Sequence, residues 1–202
     1  EITAFLCKQT IHQFILQKMT DLSPAPTKQS VISRFKTIGE FLFNVDAPKC
    51  RTLLFEVLPQ LNLLDPACGS GVYLVEGLST LTRVYQFAMC RIPTLNDEEL
   101  KKWLLQIDSN YSNRLVFIQR EIICHNLFGV DLMPEAVEFA RLRLLLEVIA
   151  SAEVLSDVAT LPSLDFNVMH GNSLIGTLRF QEEPSHLQPK LLNDLQKVES
   201  EI

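Results

Sequence analysis

Three short polar turns interrupt apolar runs in this 202-residue chain, and each carries residues able to hold a ligand. The first, Asp65-Pro66-Ala67-Cys68-Gly69-Ser70-Gly71, ends the apolar run LNLLD. Its glycines let a backbone pass close to a ligand, and a helix starting after it presents N–H groups without intrahelical partners. Asp65 sets a negative charge at this mouth, which repels a pyrophosphate and attracts an ammonium or a sulfonium. The second turn, Gly129-Val130-Asp131, ends another apolar run in an acid able to accept hydrogen bonds from both ribose hydroxyls. The third, His170-Gly171-Asn172-Ser173, offers an amide that can bond an adenine edge. Cation, ribose and base, in chain order, describe S-adenosylmethionine.

These turns need strands before them and helices after them. LNLLD reads as a short buried strand, and SGVYLVEGLSTLTRVYQFAM resumes helical spacing. NLFGVDL is a second buried strand, and Pro134 suits the first position of a helix running through PEAVEFARLRLLLEVIA. The narrow polar stripe of that helix predicts burial around most of its circumference. LDFNVMHGNSL supplies a third strand and turn. Strands alternating with helices predict an α/β fold with a parallel sheet.

Upstream, residues 1–59 read as a helical segment. Ile2, Phe5, Leu6, Phe14, Ile15 and Leu16 recur at helical spacing, and Val31, Ile32, Phe35, Ile38, Leu42 and Phe43 give a second amphipathic helix. CRTLLFEVL (Cys50 to Leu58) gives a third, closed by Pro59. Residues 60–180 form the expected α/β core, with a helical insertion at about 90–125 whose first helix has Asn96 as N-cap. Trp103 is expected to pack against the sheet. Residues 181–202 read as a C-terminal helix carrying Leu191, Leu195 and Val198 on one face.

Composition narrows the function classes. With 47% hydrophobic residues and 12 Phe the chain can bury a full core, and no run of about 18 apolar residues suggests a membrane span. The five cysteines show no CxxC pair, which predicts buried free thiols in a reducing cytoplasm and no metal site. Cys68 reads as a small space-filler. The net charge of −6, with basic residues scattered, shows no phosphate-gripping surface, so nucleic-acid contacts require a local patch or other parts of the protein. Glu135 and Glu138 read as solvated positions beside Arg141 and Arg143, and His125 and His170 as structural histidines.

The three turns together resemble the amino-group DNA methyltransferases that act on adenine N6. LLDPACGSG looks like their first motif. NLFGVDLMPEAVEFARLRLLLE resembles the second, in the form found in type IIG restriction–modification and phage-defence enzymes, and NVMHGNSLIG resembles the third. GEFLFNVDAPKC (Gly39 to Cys50) looks like a degraded form of the upstream segment that caps the cofactor, with Ala47-Pro48 where Thr-Pro is usual. The resemblance covers roughly residues 39–176 and implies a Rossmann-like methyltransferase fold. It implies that Asp65, Pro66 and the backbone of Ala67, Cys68, Gly69, Ser70 and Gly71 hold the methionine part. Asp131 would bind the ribose, Leu132 and Met133 would flank the adenine, and Asn172 would contact its edge, where many relatives have Asp.

The family's catalytic motif, Asn/Asp-Pro-Pro-Tyr/Phe, occurs nowhere in the chain. That motif holds the flipped adenine in relatives, so no catalytic residue is assigned. The resemblance then implies the cofactor-binding part of a larger DNA-acting protein, inactive by itself, with a fused or associated nuclease and target-recognition domain. Two alternatives stay open: a methyltransferase acting on RNA or on protein glutamine, and a non-catalytic cofactor-binding or assembly module.

Overall fold

The computed structural model describes residues 2–22, 35, 37–111, 113–154 and 162–175. The expected tail helix, and Val31 and Ile32 of the second amphipathic pattern, lie outside these residues. In chain order the elements are α1 (Ile2–Asp21), α2 (Ile38–Phe43), α3 (Ala47–Thr52) running into a π-helical turn (Leu53–Val57), β1 (Leu63–Asp65) and α4 (Val72–Arg91). There follow α5 (Glu98–Asn110), α6 (Arg114–His125), β2 (Leu127–Asp131), α7 (Pro134–Ser151) and β3 (Val168–His170). The result is a helix-rich α/β body around a parallel sheet ordered β1-β2-β3. Leu63 pairs with Leu127 and Asp65 with Gly129, while Asp131 pairs with His170.

Helix α4 is the spine. Leu74, Leu78 and Leu81 are at most 1% exposed, each contributing about 1.5–3 kcal/mol of hydrophobic stabilisation. Gly77 lets α4 lie directly on the sheet, because a Cβ there would stand 2.3 Å from a Leu63 methyl. On its other side α4 receives α1, which buries Cys7, Ile11, Ile15 and Met19. Of the apolar residues expected to mark that helix's inner face, Ile15 is buried, while Ile2, Phe5, Leu6 and Phe14 are exposed. Apolar residues are spread around α1, and contact with α4 selects one four-residue row of them.

Three further expectations are corrected. Helix α7 buries only Val137, Ala140, Leu144 and Val148, leaving Phe139, Leu142 and Leu146 at least half exposed. It touches the sheet along one row only. Among the described residues, helices cover the strands on one face, and the other face is at most half-buried. Leu63, Leu127, Gly129 and Val168 face α4 and α7, whereas the paired Leu64 and Phe128, and Val130 and Met169, lie on the other face. Leu64 is 60% exposed and Met169 43%. The N-cap of α5 is Asp97, not Asn96: its Oδ1 accepts from the N–H groups of Glu99 and Leu100 at 3.0 and 3.1 Å. The same carboxylate accepts from Arg51 at 2.7 Å, which ties α5 to α3 and holds the Asp97 carboxyl below the ordinary range.

Trp103 packs edge-on against Phe55 and Phe117, among helices and not on the sheet. Cys7, Cys50 and Cys68 are buried, and burial pushes the Cys50 thiol up to about 11. Cys90, against expectation, is exposed. Among the described residues no helix is long and apolar enough to cross a membrane.

Candidate functional site

The carboxyl ends of β1 and β2 meet at one turn. After β1 the chain reverses through Pro66 and Ala67, where Asp65 Oδ1 accepts from Ala67 N–H at 3.2 Å. Cys68 N–H then donates to Val130 C=O at 3.0 Å, stitching the turn to β2. Gly69 N–H donates to Asp131 Oδ2 at 2.8 Å, and Met133 N–H to Asp131 Oδ1 at 2.9 Å. The Asp131 carboxylate is thereby fixed between the first and second turns. Hydrogen bonds from Met133 and then Gly69 hold its carboxyl below the ordinary carboxylate range. Each oxygen retains acceptor capacity, since an ionised carboxylate has about four lone-pair sites and two are used.

The two glycines differ in purpose. Both have positive φ, 50° at Gly69 and 78° at Gly71, a region that strains any residue with a Cβ. A Cβ on Gly71 would lie 2.9 Å from Ala140 Cβ and 3.0 Å from its Cα, so this glycine admits α7. A Cβ on Gly69 would meet nothing within 4 Å. Close ligand approach, expected of both, is open only at Gly69.

A cleft of about 440 Å3 opens beside the turn, lined by Asp65, Pro66, Cys68, Leu64, Val72 and Tyr73 and closed by Thr3 and Leu6 of α1. Among the described residues neither Asp65 nor Asp131 forms a salt bridge. Arg143 reaches the turn, its Nη1 donating to Ser70 O and Oγ at 3.4 Å. Burial, then Asp65 and Asp131, pushes the Cys68 thiol up, so it stays protonated and fits its expected role as filler.

Beyond the turn, Leu132 and Met133 are 64% and 60% exposed, an open apolar surface beside Asp131. His170 bonds Leu132 C=O through Nε2 at 3.1 Å. Gly171 N–H donates to the backbone C=O of Asp131 at 2.9 Å, which brings the third turn alongside the second. Asn172 is exposed, and its Oδ1 accepts from Leu174 N–H at 2.9 Å, shaping its own loop. The Gly39–Cys50 segment lies elsewhere: Gly39 and Leu42 meet the middle of α4, and Cys50 Sγ reaches Ala88 C=O at 3.7 Å. Thr3 and Leu6, which the sequence did not place at the turn, stand where that segment was expected.

Two asparagines position the strands. Asn126 Nδ2 donates to Leu58 and Leu61 C=O at 2.8 and 2.6 Å, and Asn167 Nδ2 to Ile123, Cys124 and Leu127 C=O at 3.1–3.2 Å. Arg141, expected near solvated acids, pairs with Glu138 and also donates to Val168 C=O at 2.7 Å. A visible signal existed: Asn62, Asn126 and Asn167 each stand immediately before a strand.

This arrangement sets a glycine turn and two acids at the carboxyl edge of a parallel sheet, with Asp65 but neither Asp131 nor the glycines lining the cleft beside it. The chain is homologous to a segment of type II restriction–modification methyltransferases. It is 30% identical over 184 residues to a Methanocaldococcus jannaschii protein whose name provisionally makes it a type II restriction enzyme and methyltransferase. It is 34% identical over 115 residues to the Escherichia coli type II restriction enzyme and methyltransferase RM.Eco57I. The matches cover 87% and 55% of this chain but only 14% and 11% of those relatives. No protein-family model matches the chain.

Proposed function

We propose that the chain is the S-adenosylmethionine-binding part of a DNA adenine-N6 methyltransferase of a restriction–modification system, with a Rossmann-like methyltransferase core. The observation that carries this reading is the Gly69–Asp131 hydrogen bond, which joins the open glycine of the first turn to the acid of the second. The donor set suits the cofactor. Two carboxylates without salt-bridge partners among the described residues favour a ligand that brings a positive charge and hydroxyl donors, and disfavour a pyrophosphate.

In this reading Asp65 and the backbone of residues 66–71 receive the amino-acid end. Asp131 orients the ribose with the acceptor sites left over from Gly69 and Met133. Leu132 and Met133 flank the adenine, and Asn172 contacts its edge through the Nδ2 group not used by its turn. The cofactor, when bound, would supply an activated methyl group. The chain's own contribution is to bind and orient it, and an Asn-Pro-Pro-Tyr type segment from elsewhere would receive the target base. By itself the chain binds without transferring.

Calorimetric titration of the chain with S-adenosylmethionine tests the reading. One-site binding is expected, weakened at least about tenfold in Asp131→Ala by the loss of charge-assisted hydrogen bonds. A folded chain that gives no binding heat would sink the proposal, and equal affinity in Asp131→Ala would remove Asp131 from the site.

A further inference from the structure

A second cavity lies between α1, α2 and α4, away from the turns. It holds about 140 Å3, close to the ~150 Å3 of an engineered apolar cavity that admits benzene. Its walls are apolar side chains, chiefly Ile38, Leu42 and Val84, the last two at most 4% exposed. Phe87, 63% exposed, forms an aromatic lip.

Two features are unexpected in an apolar hole. Thr80, 2% exposed, lines it, and its Oγ1 has no hydrogen-bond partner. A buried hydroxyl left unpaired costs about 1–3 kcal/mol. The mouth also carries Lys8, His12 and Arg83, with no acidic residue in the lining. None of the three has a carboxylate partner among the described residues. The sequence joining α1 to α2, from Ser23 to Phe35, contains no acid either. Cations with an apolar floor and no ion-pair partner among the described residues call for an anion with an apolar body.

We propose that this cavity is a binding site for a compact carboxylate whose body is about the size of one ring. The ring fills the space between Ile38, Leu42 and Val84. The carboxylate is held at the mouth by Lys8 and Arg83. The site is independent of the methyl-donor reading, since none of its residues lines the Asp65 cleft.

Benzoate titrated into the chain, followed by NMR of the His12 ring, tests the proposal. Saturable shifts of the His12 resonances are expected. Lys8→Gln with Arg83→Gln, both at exposed positions, should weaken benzoate binding at least about tenfold. Neutral benzyl alcohol should bind at least about tenfold more weakly than benzoate, having no charge to pair. Unmoved His12 resonances at saturating benzoate would overturn the site, as would equal binding of benzoate and benzyl alcohol. Duplex DNA binding that needs Lys8 and Arg83 while benzoate leaves His12 unmoved would also overturn it, assigning these cations to a phosphate backbone.

Discussion

The turn after β1 and the turn after β3 use similar residues, glycine beside small polar side chains, but they are held to different degrees. The first is stitched to β2 through Cys68 and Gly69 and wedged against α7 at Gly71. The turn after β3 is joined to the sheet by Gly171 N–H, after which, among the described residues, Asn172 bonds its own loop and Leu174 is 93% exposed. The half of the site proposed for the methionine and ribose is therefore preorganised, and the half proposed for the base is not. Binding energy at the first half is not spent on ordering the chain, whereas at the second it is.

Substitutions can break this contrast. Gly71→Ala should be the most damaging, by about 2–4 kcal/mol in urea unfolding, because left-handed strain adds to the collision with Ala140. Gly69→Ala should cost about 1–2 kcal/mol, from backbone strain alone, since its Cβ meets open space. If the two variants lose equal stability, the division of labour between these glycines is wrong.

A smaller effect is expected from Asp131→Asn, and it should depend on pH. The folded-state pKa of Asp131 lies below the unfolded value, about 3.9. Ionised Asp131 therefore contributes stability above that value, and the contribution is lost as pH falls through the lowered folded pKa. Thermal unfolding should show the native chain losing more of its stability than Asp131→Asn as pH drops below about 4. Parallel losses would mean that the Gly69 and Met133 hydrogen bonds do not favour the charged form.

Asn172→Ala should be the mildest change, within about 0.5 kcal/mol of the native chain in the same urea experiment, because the side chain is exposed and its bond is local. A loss above about 1 kcal/mol would show that the third turn is as firmly built as the first.

Much of this was readable from residue order. The strand ends, Pro134 at the first position of α7 and the helix read in residues 96–108, found at Glu98–Asn110, all follow from local pattern. So does the convergence of Asp65 and Asp131, because consecutive parallel strands bring their carboxyl ends to one edge. What stayed hidden was nonlocal. Which row of α1 faces inward depends on the surface of α4, and the separate duties of Gly69 and Gly71 depend on where Ala140 arrives 69 residues after Gly71. The placement of Thr3 and Leu6 over Asp65 could not be read, since neither residue type signals a cleft wall. The strand-preceding asparagines show the reverse failure: the repeat was in plain view, but asparagine before a strand reads as a turn residue until its carbonyl partners are known.

The sheet face formed by Leu64, Phe128, Val130 and Met169 has a mechanical consequence. Parallel sheets are ordinarily sandwiched between two layers, and each strand's stiffness comes from being gripped on both sides. Among the described residues, the acids at the strand ends sit on a plate clamped by helices from one side. Any polypeptide laid on the bare side would be drawn there by the apolar area it covers. It would also damp the bending of β1 and β2, so the spacing between Asp65 and Asp131 would be set partly by a surface that touches neither.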